Sequence, residues 1–254
     1  MPRTALGRPL GWHHPALRGR LHAGLAHFAT IDRATLPDEV MLAALPPVLN
    51  QGQVGSCTAN AIAGAVSILH AHQGLDVYTP DRMAIYYRER AVEGSVADDA
   101  GAMLADGIGV VREGYAPEAR YVPTWGPEWM DPPAPLALDA PRVVNSDPVP
   151  VSLDAVMWCL ASGFPVVVGL SITEAWESTL GDTLPMPGGD PIGGHALCVV
   201  GYRKRGTSVL LRIRNSWGEG WMDAGSAWAP GEWISLGTCG EVHVLRATRA
   251  AVTP

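Results

Sequence analysis

Between residues 57 and 72 apolar positions recur at helical spacing, with Ile62, Val66 and Leu69 on one face and alanines between them. The pattern predicts a helix that starts at or near Cys57, directly after the glycine-containing stretch 50–56, and packs closely through its small residues. Thr79-Pro80 places an N-cap before a proline at the first helical position, and the helix it opens carries Met83, Ile85, Tyr86 and Tyr87. Residues 98–101 read as a turn, 102–107 as a short helix, and about 115–135 as a loop rich in proline and tryptophan. From about residue 142 the period shortens. Strands are predicted over 143–151, 165–172, 195–202 and 209–214, with more around Ala227 and over 242–246, and 153–161 reads as a helix. The polar turn 203–206 joins two of these strands. A helical first half followed by a β-rich second half gives an α+β fold class with two lobes. We divide the chain into an extension over 1–44, a helical lobe over 45–140 and a β-rich lobe over 141–254.

Composition narrows the function classes. With 254 residues, 47% of them apolar and 17% charged, the chain can bury a substantial core, which excludes intrinsic disorder. Its formal net charge of −7 argues against a nucleic-acid or anionic-membrane binder, both of which want a basic face. The apolar runs are also too short to span a bilayer. Nine tryptophans against two phenylalanines mean that indole rings must supply much of the aromatic packing. Residues 1–31 hold no acid but carry Arg3, Arg8, Arg18 and Arg20 with four histidines, so the extension should lie over an acidic body. It has no continuous apolar segment of the signal-peptide kind, and a cytoplasmic location is expected. The four scattered cysteines show neither C-x-x-C pairing nor metal-ligand spacing, so no metal, no other cofactor and no disulfide framework is expected. Cys239 reads as structural. His70 and His72, two apart on a helix, read as surface residues, as do His13 and His14; Asp98-Asp99 reads as a solvated turn.

Cys57 is the residue with the most chemistry to offer. A thiol at a helix N-terminus feels the positive end of the macrodipole, and a nearby imidazolium would lower its pKa further. His195, after Gly193-Gly194, and Asn215, at a strand end before Ser216-Trp217-Gly218, are the candidate partners; the sequence alone does not bring them into contact.

The segment Gln51-Gly52-Gln53-Val54-Gly55-Ser56-Cys57 resembles the nucleophile segment of papain-like cysteine peptidases. Gly194-His195-Ala196 followed by Val199-Val200-Gly201-Tyr202 is similar to their histidine strand, and Arg214-Asn215-Ser216-Trp217-Gly218 to their asparagine motif. The three motifs span roughly residues 45–247, and the variant around Cys57 looks most like the bacterial and archaeal branch. The resemblance implies a helical left lobe and a β-barrel-like right lobe with the site in the cleft between them. It implies Cys57 as nucleophile, His195 as base and then acid, Asn215 as orienter of the imidazole, and Gln51 with the Cys57 amide as the oxyanion hole. Trp217 would shield the His–Asn bond. Gly101, Ser56 and Gly194 would border the bound peptide.

Three departures stand out: Thr58 where an aromatic is usual, Val54 in place of a disulfide cysteine, and Gly194 in place of an acid. The partner implied is a peptide or protein substrate, cleaved through a thioester. Two alternatives stay open, a transpeptidase or amide ligase using the same acyl-enzyme and an inactive papain-like binding module. Whether residues 1–44 inhibit by covering the cleft is also left open; if they do, deleting 1–40 should raise activity.

Overall fold

The computed structural model describes residues 1–13, 31–134, 142–179 and 181–250. Helix α1 (Cys57–His72) matches the predicted span, but nearly its whole circumference is buried rather than one face. Alanines on every side let it pass through the middle of the molecule. It packs on two further helices, α2 (Arg82–Glu93) and α3 (Leu104–Glu113), and on the sheet. The cap of α2 is Asp81, whose side chain accepts the Ala84 N–H, and not Thr79. Pro80 instead pairs with Pro117 in an isolated bridge. Helix α3 starts two residues later and runs six further than the sequence indicates.

The β-rich half is one antiparallel sheet. Besides β1 (Glu39–Met41) it contains β2 (Arg142–Pro148), β3 (Val166–Ile172), β4 (Gly193–Arg205), β5 (Ser208–Arg214), β6 (Ser226–Pro230) and β7 (Cys239–Ala250). The order β2-β7-β3-β4-β5-β6 is open at both ends, so the barrel-like lobe implied by the resemblance is an unclosed sheet. The long β4 pairs with β3 over its first half and with β1 over its second. β1 escaped the sequence reading because three residues carry too little alternation to register as a strand. Strand β3 is buried at six of seven positions, as its unbroken run of apolar residues requires of a strand covered on both faces. Both α1 and α4 (Leu153–Ala161) pack against it, and α4 keeps its predicted bounds.

Trp129, Trp176 and Trp233 are among the largest fully buried side chains, and Trp176, Trp221, Trp233 and Trp217 form a chain of ring contacts. Indole does take the place of phenylalanine in the core. All four cysteines are free and buried. His70 is buried, not exposed: its ring lies between Tyr78 and Tyr115, with Nε2 2.9 Å from the Tyr115 hydroxyl. His72 does sit near the surface. Among the described residues no helix is long and apolar enough to cross a membrane.

Candidate active site

Cys57 opens α1 where that helix abuts β4, and the amides of Ala196, Gly11 and Thr58 face its sulfur. β4 carries His195 next to Ala196, whose amide faces that sulfur. The end of β5 delivers Asn215, whose Oδ1 lies 2.7 Å from His195 Nε2 and also accepts the Ser216 N–H at 2.7 Å. A carbonyl-type oxygen can only accept, so the ring donates from Nε2 and Nδ1 carries the lone pair. Nδ1 is buried and unpartnered among the described residues. Trp217 stacks on the imidazole at 4.7 Å and covers it. Gln51 is tied to the Asn215 segment twice: its N–H donates to the Ser216 carbonyl at 2.8 Å, and its Oε1 accepts the Ser216 hydroxyl at 2.6 Å. Its Nε2 is thereby turned toward the cleft and donates to Val54 O and, at 3.4 Å, to Pro9 O. Three segments distant in sequence, around residues 51–57, 195–196 and 215–217, thus meet here.

The extension fills that cleft. Residues 2–10 fold back on themselves, with Leu10 N–H on Pro2 O and an Arg3–Pro9 bridge. The chain then runs between the lobes, main chain against main chain: Ala102 N–H donates to Gly11 O at 2.6 Å, His13 N–H to Ala102 O at 2.9 Å, and Trp12 N–H to Gly194 O at 3.1 Å. Gly101 holds φ at +87°, which a side chain would strain, and a Cβ there would overlap the Gly11 carbonyl. A Cβ on Gly194 would overlap Trp12. Arg8 lies over the Trp217 ring at 4.7 Å. Ser56 stands next to Cys57, but its hydroxyl bonds Tyr121 and Asn60.

Burial sets the electrostatics of the site. Burial pushes the Cys57 thiol up to about 12, against the amides of Ala196 and Gly11 that favour the thiolate. Burial pushes His195 down to about 4, with Asn215 opposing and Arg8 adding to the fall. The helix terminus was expected to depress the thiol; under the extension, loss of water outweighs it. Glu89 of α2 is wholly buried, accepts the Thr58 hydroxyl at 2.7 Å, and burial pushes its carboxyl well above the ordinary glutamate value. So Thr58, a departure from the family pattern, has a specific partner.

Two partners of the extension were not legible in the sequence: Ala102, which does the pairing expected near Gly101, and Glu241, which accepts the Trp12 indole N–H at 3.1 Å. His13 was read as solvent-facing but is anchored, with Nδ1 3.1 Å from Glu93 and Nε2 2.7 Å from Ala100 O; His14 lies outside the described residues. Asp99 is no solvated turn residue either, since it accepts the Gly55 N–H and the Tyr86 hydroxyl.

No family profile matches the chain. Among solved structures it is similar to xylellain, a cysteine protease from Xylella fastidiosa, at 30% identity over 98% of both chains with a TM-score of 0.82. A curated, uncharacterized peptidase C1-like protein of Acanthamoeba polyphaga mimivirus is 31% identical over 192 residues. That match covers 68% of this chain and 60% of the viral protein's length. The proform of Amb a 11, a ragweed pollen cysteine protease, shares the fold at a TM-score of 0.73 and 19% identity, over 96% of this chain and 77% of its own.

Proposed function

The chain belongs to the papain-like cysteine peptidases, and from that footing we propose that it hydrolyses peptide bonds at Cys57 and that its own extension holds the site shut. The observation that carries this is the convergence of Cys57, His195, Asn215 and Gln51 on a cleft already occupied by a peptide, residues 8–13. With the extension displaced, water returns and the burial that separates the two pKa values is relieved. His195 Nδ1 then takes the thiol proton, and the thiolate attacks the substrate carbonyl carbon. Gln51 Nε2 and the Cys57 N–H stabilise the oxyanion. Asn215 keeps Nε2 donating, so that Nδ1 can return the proton to the leaving amine. A thioester remains, and water resolves it to regenerate the thiol. Gly101, Ser56 and Gly194 border the peptide main chain, and Trp217 keeps water from the His–Asn bond.

The extension resists its own enzyme for a geometric reason. Gly11 presents its N–H to the sulfur, where attack needs a carbonyl carbon. We read residues 1–44 as this inhibitory extension, 45–140 as the helical lobe and 141–254 as the β-rich lobe. Four free, buried cysteines and the acidic net charge support a reducing, cytoplasmic setting with peptide partners and no nucleic acid or membrane. The test is turnover of fluorogenic peptides by the chain lacking residues 1–13 and by that chain with Cys57→Ala, with and without an added amine. Turnover lost in Cys57→Ala and yielding free acid supports the reading. Amine adducts as the main product would replace it with a transpeptidase, and no turnover after the extension is displaced would make the chain a binding module.

A further inference from the structure

Gly64 stands where helix α1 has no need of a glycine. Between Cys57 and His70 it is the one position of the helix that is not buried. A Cβ there would meet only Leu49 Cδ1, at 3.9 Å, an ordinary contact. Glycine inside a helix is destabilising relative to alanine, so neither backbone nor packing accounts for it. What the missing side chain leaves open is a cavity of about 160 Å³ between α1, β4 and the end of β5. Leu49, Ile68 and Val77 supply apolar walls, and exposed Pro47 and Val77 mark where it meets solvent. Neither Cys57, His195, Gln51 nor any of residues 1–13 lines it, so it is separate from the cleft that the extension fills.

The charge in this cavity is unbalanced. Its lining carries one cation, Arg214, and no acid. Arg214 lies opposite Cys198 in the β4–β5 ladder, donates to Pro46 O, and forms no ion pair among the described residues. Arg82, by contrast, donates to Asn60 of the same lining but is paired with Glu118 at 2.7 Å. Burial lowers the Arg214 pKa against the pull of Cys198, and Arg212 adds to the fall. A guanidinium keeps its proton regardless, so what it lacks is an anion. Asn215 also lines the cavity; it is 5% exposed, and its Nδ2 has no partner among the described residues.

We propose that this cavity binds a small free carboxylic acid, with the carboxylate on Arg214 and an apolar body about the size of one six-membered ring against Leu49, Ile68 and Val77. An apolar cavity of about 150 Å³ is enough to hold a benzene ring, and guanidinium and carboxylate match donor for acceptor. An inorganic anion would leave the apolar walls bare, and an amine would face a like charge. The site is independent of the peptidase reading, because nothing in it needs turnover.

Isothermal titration of the full chain at constant ionic strength tests it with benzoate, with its neutral amide benzamide, and with acetate, which has the charge without the ring. Benzoate should bind, and the other two should each bind at least about tenfold more weakly, one lacking the charge-assisted hydrogen bonds and the other the buried ring. Arg214→Gln should weaken benzoate about tenfold and leave benzamide unchanged. Gly64→Leu, which fills the cavity from the helix side with Arg214 in place, should abolish binding of benzoate and benzamide alike. Melting curves show which variants are folded. No binding of benzoate, or equal affinity for benzoate and benzamide, overturns the proposal on the unaltered chain whatever the variants do. Benzoate affinity that survives in folded Arg214→Gln or folded Gly64→Leu overturns it as well, since the acid then sits elsewhere.

Discussion

A thiol at about 12 beside an imidazole at about 4 is a pair in which both members are neutral at physiological pH. The covered site therefore holds no thiolate, and Cys57 in the full chain should be alkylated as slowly as buried Cys198, which burial also pushes up to about 12. Gly11 is where this can be broken without touching a reacting group. A Cβ on Gly11 would overlap the Gly55 carbonyl, so Gly11→Ala should unseat the extension. Overpacking of this kind costs about 1–3 kcal/mol, enough to raise Cys57 labelling at pH 7 roughly tenfold. Mass spectrometry that finds Cys57 unchanged while Cys198 stays protected would sink the idea. The four residues proposed for the chemistry are offered by the sequence because each lies in a local motif. Trp12 and Glu241 are not: an aromatic in an acid-free extension and an acid at a strand end gain meaning only when β7 brings them together across 229 residues.

At the level of elements, two carboxylates of α2 do opposite things. Burial works against ionised Glu93, but hydrogen bonds from His13 and the Met103 N–H outweigh it and hold the carboxyl below its ordinary value. A depressed pKa stabilises the bonded state above the ordinary carboxylate range and withdraws that stability as pH falls through the lowered value. Acidification below the ordinary carboxylate range should thus loosen the His13 anchor, and Glu93→Gln should mimic this at neutral pH by speeding Cys57 labelling. Glu89 runs the other way. Its pKa is raised, so the folded state binds a proton that the unfolded state releases, and stability falls as pH climbs above the ordinary carboxylate range. Glu89→Gln should flatten that slope in thermal melts between about pH 5 and pH 9, a range wholly above the ordinary glutamate pKa of about 4.3. Glu89→Ala, which strands the Thr58 hydroxyl, should cost about 1–3 kcal/mol. A slope identical in wild type and Glu89→Gln would mean that Glu89 is ionised in the fold. The sequence disclosed α1, α4 and the β4–β5 pair because their apolar runs are long. It missed β1 and the true cap of α2, which depend on Pro80 being drawn into pairing with Pro117.

For the whole molecule, the extension is attached at two separated places. Residues 2–13 fill the cleft, and residues 36–42 bind the far half of β4, through the β1 ladder, Tyr202 hydroxyl to Pro37 O at 3.0 Å and Lys204 Nζ to Leu36 O at 2.6 Å. On the reading proposed above the first attachment closes the site, while the second adds β1 to the sheet next to buried Leu42. A single deletion of 1–40 confounds the two. Removing 1–13 should uncover Cys57, raise peptide turnover and leave the melting temperature close to that of the full chain. Removing 1–41 should uncover the site as well but also strip an edge strand from β4 and expose Tyr202. Lost ladder bonds and apolar cover should then lower Tm by several degrees, in line with about 4–8 °C per kcal/mol for small domains and less for larger ones. If the shorter deletion leaves turnover at the level of the full chain, the segment in the cleft is not what restrains the enzyme, and the restraint must come from the pairing at β4.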